Sequence, residues 1–418
     1  MGVDLRYHYT RTQISAELPG FAASVAIMTA RIVLFGGTGY TGGRTAEAMV
    51  KRGLRPVLAG RNLARIDELA HRLGGLETVR ADVTDTGSVS ALVGPGDVLV
   101  STVGPFATLG GPAVVAAIDA GAIYLDSTGE PPFIREVFER HGPVAQRSGA
   151  ALLTAFGNDY VPGVLAGALA LRAAGAAVSV LGPASGPSVS MLGPASGPSV
   201  ASRVDVGYFL TGGGKGQAYS RGTLSSLAGV AIEPVYAWRD GALRTEAAGA
   251  RLRTFDVAGR PRPGVTIGAT EQFALPRLAP GLRTVDVYLG WFGAASQAVH
   301  LGSRVTPLLG RVPGAGQIVQ RLAAFAIRRV AVAPSPELLA RVTSHFVAEV
   351  FDPTGTLLAR VRLTSPDGYT ITADLLAWGA GRAAEHGVRD TGALDPVTAF
   401  GLDELAHGAA EAGIRKVE

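Results

Sequence analysis

Apolar positions in this chain fall into short, unbroken runs separated by longer stretches with helical spacing. Ile32-Val33-Leu34-Phe35 is the first such run, and a strand buried on both faces of a parallel sheet has this composition. It ends in Gly36-Gly37-Thr38-Gly39-Tyr40-Thr41-Gly42-Gly43. A helix is expected from Arg44 to Arg52, closed by Gly53 in the position that favours a left-handed residue. The same rhythm then repeats: a strand at Pro56–Ala59, a helix over Asn62–Leu73, a strand at Thr78–Asp82, a helix over Thr86–Val93. It continues with a strand at Asp97–Val103, a helix over Gly111–Ala120 before Gly121, and a strand at Ile123–Asp126. A helix at Pro131–Arg140 and a strand at Ala151–Ala155 complete the series. Strands alternating with helices roughly every 20–25 residues predict βαβ units and a doubly wound parallel sheet.

Beyond residue 156 the rhythm changes. Strand-like runs at Val204–Leu210, Thr284–Trp291, His345–Phe351, Leu357–Thr364 and Tyr369–Leu375 lack regular intervening helices. A helix is expected at Gln317–Val330, and the tail from Asp395-Pro396 to Gly413 reads as a final helix. Val178–Ser188 is repeated almost unchanged as Val189–Ser199. Two copies are too few for a solenoid, and their Gly and Pro content argues for an exposed loop. The fold class is therefore α/β: an N-terminal doubly wound parallel sheet with a second α+β domain on a mixed or antiparallel sheet. The expected division is 1–29 as a disordered extension, 30–156 as the first domain, 157–395 as the second, with the duplicated loop at 178–200, and 396–418 as a C-terminal helix.

Composition narrows the chemistry. Hydrophobic residues make up 47% and charged residues 17% of the 418 positions, which excludes wholesale disorder. The net charge is +4, but Lys appears only at 51, 215 and 416, and the Arg residues are scattered among acids. Nucleic acid would need a basic stripe, so it is not an expected partner. Cysteine is absent, which removes thiolate nucleophiles, disulfides and Cys-ligated metals. The seven His show no metal-binding spacing, so no metal is expected. No apolar run reaches the ~20 residues of a spanning helix. The cytoplasm is the expected compartment, while the mean hydropathy of +0.27 leaves peripheral membrane contact open. A homodimer is likewise left open.

The chemistry-bearing motif is Gly36-x-x-Gly39-x-x-Gly42, set between a buried strand and a helix. Gly36 permits the tight exit from the strand, Gly39 lets the backbone approach a diphosphate, and Gly42 lets the helix lie close to the sheet. Phosphates then meet free N–H groups at the helix N-terminus, with Thr38, Tyr40 and Thr41 lining the bend. This is the Rossmann-type arrangement for a dinucleotide. At the tip of the second strand, Ala59-Gly60-Arg61-Asn62 carries no acid. An acid there would bind a ribose hydroxyl, whereas Arg61 can pair with a 2′-phosphate, so NADPH is the expected cofactor. Asp82 is placed to meet the adenine, and Val103-Gly104-Pro105-Phe106 to form a flat wall beside the nicotinamide half.

Together Gly36–Gly42, Ala59–Asn62, Val103–Phe106 and Tyr124-Leu-Asp-Ser-Thr-Gly-Glu130 resemble the saccharopine dehydrogenase-like oxidoreductases, and more narrowly their trans-acting enoyl reductase branch. Ser220–Ser226, Ala333–Glu337, Asp367–Thr372 and Thr391–Pro396 agree, so the resemblance spans residues 30 to 415. Gly157-Asn-Asp-Tyr-Val-Pro162 departs from the Gly-Phe-Asp-type turn usual in the family, and the duplicated loop has no counterpart in it. The resemblance implies an NADPH-dependent reductase delivering hydride to an activated double bond. The expected substrate is a small-molecule or carrier-protein-bound hydrophobic metabolite, reduced at the C=C of an enoyl thioester. An imine or ketone reductase is the alternative, and a non-catalytic cofactor-binding or lipid-associated scaffold a second.

A proton must accompany the hydride. The Tyr-x-x-x-Lys pair of short-chain dehydrogenases is absent, because Glu47, Thr211 and Ala412 precede the three lysines by four residues. Ligands of open α/β sheets bind at the C-terminal ends of strands, where Tyr124, Asp126, Glu130, Asn158, Asp159 and Tyr160 stand. Tyr160, Asp126 and Asp159 are the catalytic candidates, the acids only if burial raises their pKa values. Capping or loop-holding is the competing role for Asp126 and an Asx-turn for Asp159. Thr223 and Ser225 are further candidates for substrate contact.

Overall fold

The computed structural model describes residues 30–176, 178, 201–213, 234–293, 296–309 and 335–417. The expected N-terminal extension, nearly all of the duplicated segment, Thr223, Ser225 and the helix at Gln317–Val330 lie outside the described residues.

The first sheet is built from β1 (Ile32–Phe35), β2 (Val57–Gly60), β3 (Thr78–Arg80), β4 (Val98–Ser101), β5 (Ile123–Asp126) and β6 (Ala151–Leu153). β1, β2 and β4 are buried at every position, as their unbroken apolar composition requires. All pairings are parallel, and β1 lies between β2 and β4. Sequence order therefore reverses between β1 and β4, which opens a crevice at their C-terminal ends.

The second sheet contains β7 (Arg203–Thr211), β8 (Pro234–Arg239), β9 (Ala242–Ala247), β10 (Leu252–Val257), β11 (Arg260–Ile267), β12 (Thr284–Leu289), β13 (Thr343–Phe351) and β14 (Leu357–Ser365). It is mixed, since β12 and β7 run parallel while its other pairs are antiparallel. Its inner face (Val204, Val206 and Tyr208 of β7; Phe346, Ala348 and Val350 of β13) joins the same core as the first sheet. Its outer face carries a lattice of charge. Asp286, Asp205 and Glu349 stand side by side on β12, β7 and β13. Like charges in such a row repel, and Arg253 bridges Asp205 to Glu349 while Arg239 and Arg251 hold Asp286.

The late part of the chain departs from the expected layout. β15 (Gly392–Ala393) pairs with β6 and extends the first sheet to seven strands. β16 (Arg415–Val417) pairs with β14 at the edge of the second. The division drawn at 156 falls between β6 and β7, whereas 392–393 return to the first sheet and 415–417 to the second, on either side of the division drawn at 395. Residues 396–418 are not one helix: Pro396–Phe400 and Leu402–Glu411 are separated by Gly401 at φ +88°, a conformation that only glycine takes without strain. Tyr369–Leu375 is not a strand but the start of a 19-residue helix, Gly368–His386. Its consecutive β-branched residues Thr370-Ile371-Thr372, set in an apolar–polar alternation, were the misleading signal. The Asp367 carboxylate caps the helix by accepting from the N–H groups of Tyr369 and Thr370. The helix then packs against the helix Tyr40–Lys51 and across β1, β4 and β5, so tertiary burial overrides local propensity. Pro131–Arg140 is longer than expected, continuing through a wide turn into Gly142–Ser148.

Candidate active site

Gly36 leaves β1 at φ +95°, and a Cβ there would stand 2.8 Å from Thr102 Oγ1 and 2.9 Å from Val103 Cγ2. A Cβ on Gly42 would lie 2.2 Å from the Gly36 carbonyl oxygen. The bend therefore closes only without side chains at these two places. Gly39 is the N-cap of the 12-residue helix Tyr40–Lys51 and supplies no side-chain cap. The first N–H groups of a helix have no partner within it, so this end is open to an anion. An open groove of about 610 Å³ runs from Gly37, Thr38, Gly39 and Tyr40 past Arg44 to Arg65. A dinucleotide diphosphate fits this cradle.

Arg61 is exposed at the end of β2 and has no hydrogen-bond or ion-pair partner among the described residues. The neighbouring Asn62 is engaged locally, where its Oδ1 accepts from the Arg65 N–H at 3.2 Å and caps the helix Leu63–Arg72. Asp82 accepts from the N–H and hydroxyl of Thr84 at 3.0 and 2.9 Å, and these bonds hold its carboxyl below the usual range. Val103 and Gly104 lead to Pro105, the N-cap of a single turn at Phe106–Leu109. The Phe106 and Ala107 N–H groups donate to Glu130 at 3.0 and 2.9 Å, so Glu130 serves as the cap for this turn. The Phe106 ring is buried against Phe133, centroids 5.7 Å apart.

The three catalytic candidates do not converge. Asp126 is fully buried, and its Oδ1 accepts from the Thr128 and Ala155 N–H groups at 2.8 and 2.9 Å. Burial pushes this carboxyl up to about 6 despite those bonds. It ties the β5 loop to the β6 exit, the loop-holding role. Tyr160 is also buried. Its ring meets Tyr208 edge-on at 5.7 Å, and its hydroxyl faces the Gly268 carbonyl at 3.5 Å. Asp159 lines a cavity among the described residues.

That cavity, of about 110 Å³, lies where the two sheets meet. Thr41 comes from the first turn of the helix Tyr40–Lys51, Ser127, Asn158 and Asp159 from the strand ends of the first sheet, and Asp367, Gly368, Tyr369 and Thr372 from the capped start of the helix Gly368–His386. Leu210, Trp291, Leu339 and Val342 form an apolar wall from the second sheet and the segment leading into β13. Burial raises the Asp159 carboxyl to about 6, and the bond from Asn158 Nδ2 at 3.1 Å works against it. The Asn158 N–H donates to Thr372 Oγ1 at 3.0 Å. Tyr40 and Tyr369 meet edge-on at 5.1 Å, while Arg44 lies over the Tyr40 ring and reaches Thr370 Oγ1 at 3.3 Å. The cavity and the glycine bend thus share the helix Tyr40–Lys51.

Residues 32–152 match the family model described as the saccharopine dehydrogenase NADP binding domain. This segment is an NADP-binding domain of the saccharopine dehydrogenase type. Trans-acting enoyl reductases of Mycobacterium leprae and Mycobacterium tuberculosis are 36% and 34% identical to the chain over 137 residues, covering 31% of it. The chain spans about a third (33%) of the length of each of these curated relatives. Among solved structures, apo saccharopine dehydrogenase (L-Glu forming) from Saccharomyces cerevisiae aligns with 93% of the chain and all of its own, at 14% identity and a TM-score of 0.51. That likeness is one of fold, and at 93% of the chain it takes in the second sheet as well as the first. Among the described residues no helix is long and apolar enough to cross a membrane.

Several site residues were not visible in the sequence. Leu210, Trp291, Leu339 and Val342 are widely separated, and no spacing links them. Asp367-Gly-Tyr-Thr-Ile-Thr372 stood out as a motif, but its reading as a strand hid its position at the cavity. The cap motif, an acid followed by two residues with free N–H groups, was the signal that could have placed it.

Proposed function

We propose that this protein is an NADPH-dependent reductase that delivers hydride to the activated C=C of an enoyl thioester or a similar hydrophobic, carrier-bound metabolite. The observation that carries this reading is the two-sided cavity beside the glycine bend of an NADP-binding domain, with a polar floor at the strand ends and an apolar wall of Leu210, Trp291, Leu339 and Val342. Matched relatives named trans-acting enoyl reductase support the same class of reaction.

The residues divide the work by chemistry. Gly36, Gly39 and Gly42, with the helix N-terminus at Thr38, Tyr40 and Thr41, hold the diphosphate. Arg61 pairs with the 2′-phosphate, and its exposure leaves the guanidinium free to do so. Asp82 lies toward the adenosine end, and Val103–Phe106 walls the nicotinamide end. NADPH supplies the hydride when bound. At the reacting alkene a C–H bond forms at the β-carbon, the π pair moves onto the thioester oxygen as an enolate, and the α-carbon then takes a proton. Asp159, protonated below about pH 6, is the donor and leaves as a carboxylate that solvent reprotonates. The apolar wall holds the acyl chain and excludes water.

Fluorescence titration with NADPH and NADH, followed by NADPH oxidation with crotonyl thioesters, cyclic imines and ketones, tests this. NADPH binding with turnover of the thioester is the expected result. Binding of neither dinucleotide would sink the reading. Turnover confined to imines or ketones would move the reaction to C=N or C=O.

A further inference from the structure

Behind the cavity lies a group that the reaction above does not use. Glu271 opens the helix Glu271–Leu278 and is fully buried. Its Oε1 accepts from the Tyr208 hydroxyl at 2.5 Å. Its Oε2 has no hydrogen-bond partner, and no cation pairs with it among the described residues. The titratable groups facing it are Tyr208 from β7, Tyr160 and Asp159 from the corner before the helix Val161–Ala173, and Tyr236 from β8. A buried acid among tyrosines, without a positive partner, is costly to keep. An aliphatic side chain would avoid that cost, so a polar acceptor held at this place calls for an explanation.

The geometry supplies one. The Tyr208 oxygen that meets Glu271 also lies 3.3 Å from the carbonyl oxygen of Tyr160, the residue directly after Asp159. The first turn of the helix Val161–Ala173 is pressed onto the same pair: a Cβ on Gly163 would stand 1.9 Å from the Tyr208 hydroxyl and 2.1 Å from Glu271 Oε1. Tyr208 is in turn fixed by Phe346, centroids 5.4 Å apart. On the cavity side, and among the described residues, Asp159 takes its hydrogen bond from Asn158 Nδ2, with Gly129 packed beneath its other oxygen. The corner is thus clamped from behind and free in front.

We propose that Glu271 is a positioning residue: through the Tyr208 hydroxyl it holds the Asp159–Tyr160 corner so that the Asp159 carboxyl faces the cavity. This rests on Asp159 being the cavity acid proposed above. Released from the clamp, the corner relaxes toward solvent and Asp159 loses part of its burial. Burial is what raises its carboxyl, so its titration reports the clamp directly.

The experiment follows the Asp159 side-chain carbon by NMR in full-length protein labelled with ¹³C-aspartate, assigned by its loss in Asp159→Asn. Wild type, Tyr208→Phe, Glu271→Leu and Glu271→Gln are titrated, with near-ultraviolet circular dichroism confirming the fold. Tyr208→Phe keeps the ring and removes only the hydroxyl, so it covers the case in which Glu271→Leu does not fold. The expected result is a midpoint lowered by about half a unit or more in Tyr208→Phe and Glu271→Leu. Glu271→Gln, which still offers an oxygen to Tyr208, keeps the wild-type midpoint. Folded Tyr208→Phe with an unchanged Asp159 midpoint overturns the proposal. Failure of the reductase reading is separate: Asp159→Asn that keeps full turnover removes the acid's role, while the titration still reports whether Glu271 sets its position.

Discussion

The two ends of the cleft are built in opposite ways. At the cofactor end, close approach is achieved by leaving side chains out: Gly36 and Gly42 bring backbone to within a distance that a single methyl would block. At the corner of Gly157–Tyr160, position is achieved by filling space, with Tyr160, Tyr208, Tyr236 and Glu271 packed behind Asp159. The first design tolerates no added atom. The second tolerates exchange of shape-matched groups but depends on each polar atom finding a partner. An absence is written in a few consecutive residues, whereas the packed corner draws on β7, β8 and the segments on either side of them.

Gly42→Ala breaks the cofactor end most directly, because the new Cβ meets backbone rather than a movable side chain. It should cost about 3 kcal/mol or more of stability, the upper range for overpacking, and abolish NADPH binding. Denaturant unfolding and fluorescence titration would show both; an unchanged affinity would mean that the bend does not carry the diphosphate.

The corner has its own signature in pH. Burial raises the Glu271 carboxyl from an ordinary 4.5 to about 8. Between those values the folded chain keeps a proton that the unfolded chain releases, so stability falls as pH rises from about 4.5 to about 8. Glu271→Gln removes this slope. It should be the more stable protein above pH 8 by on the order of a few kcal/mol, with the difference vanishing at low pH. Urea midpoints across that range would measure it, and parallel curves for the two proteins would contradict it.

Arg61→Ala should reduce the preference for NADPH over NADH by about 10- to 100-fold, the value of a charge-assisted hydrogen bond, without changing the melting temperature. An unchanged preference would assign the 2′-phosphate elsewhere, Arg65 being the next arginine along the same groove. The smallest effect expected is that of Asn62→Ala, which removes one helix cap for about 1 kcal/mol. Its affinity for NADPH should hold. A loss of affinity as large as that of Arg61→Ala would show that Asn62 binds the cofactor as well as capping the helix.

The contrast explains which features were legible. Strands β1 to β6 of the first sheet and the glycine bend after β1 are local, and they stand where the sequence placed them. A second domain on a mixed or antiparallel sheet followed from its strand-like runs and sparse helices, and the parallel pairing of β12 with β7 makes it mixed. Tyr369–Leu375 misled because β-branched residues in an apolar–polar alternation carry no information about the helix Tyr40–Lys51 waiting to pack on it. The two-residue β15 has no periodicity to detect. Tyr160 and Asp159 are adjacent in sequence, yet one turns into the core and the other to the cavity, a difference set by Tyr208 and Gly268 far along the chain.

The sequence by itself determined a side-chain-free bend after β1 at the open start of a helix, because backbone freedom at glycine and orphan N–H groups at a helix start belong to a handful of neighbouring residues. Only the tertiary structure decided what lines the cavity. The cavity draws its floor from one sheet, its wall from the other and its rim from a helix more than 200 residues from Asp159 in the chain. Such a meeting is fixed by the burial of whole elements, and no short stretch of sequence contains it.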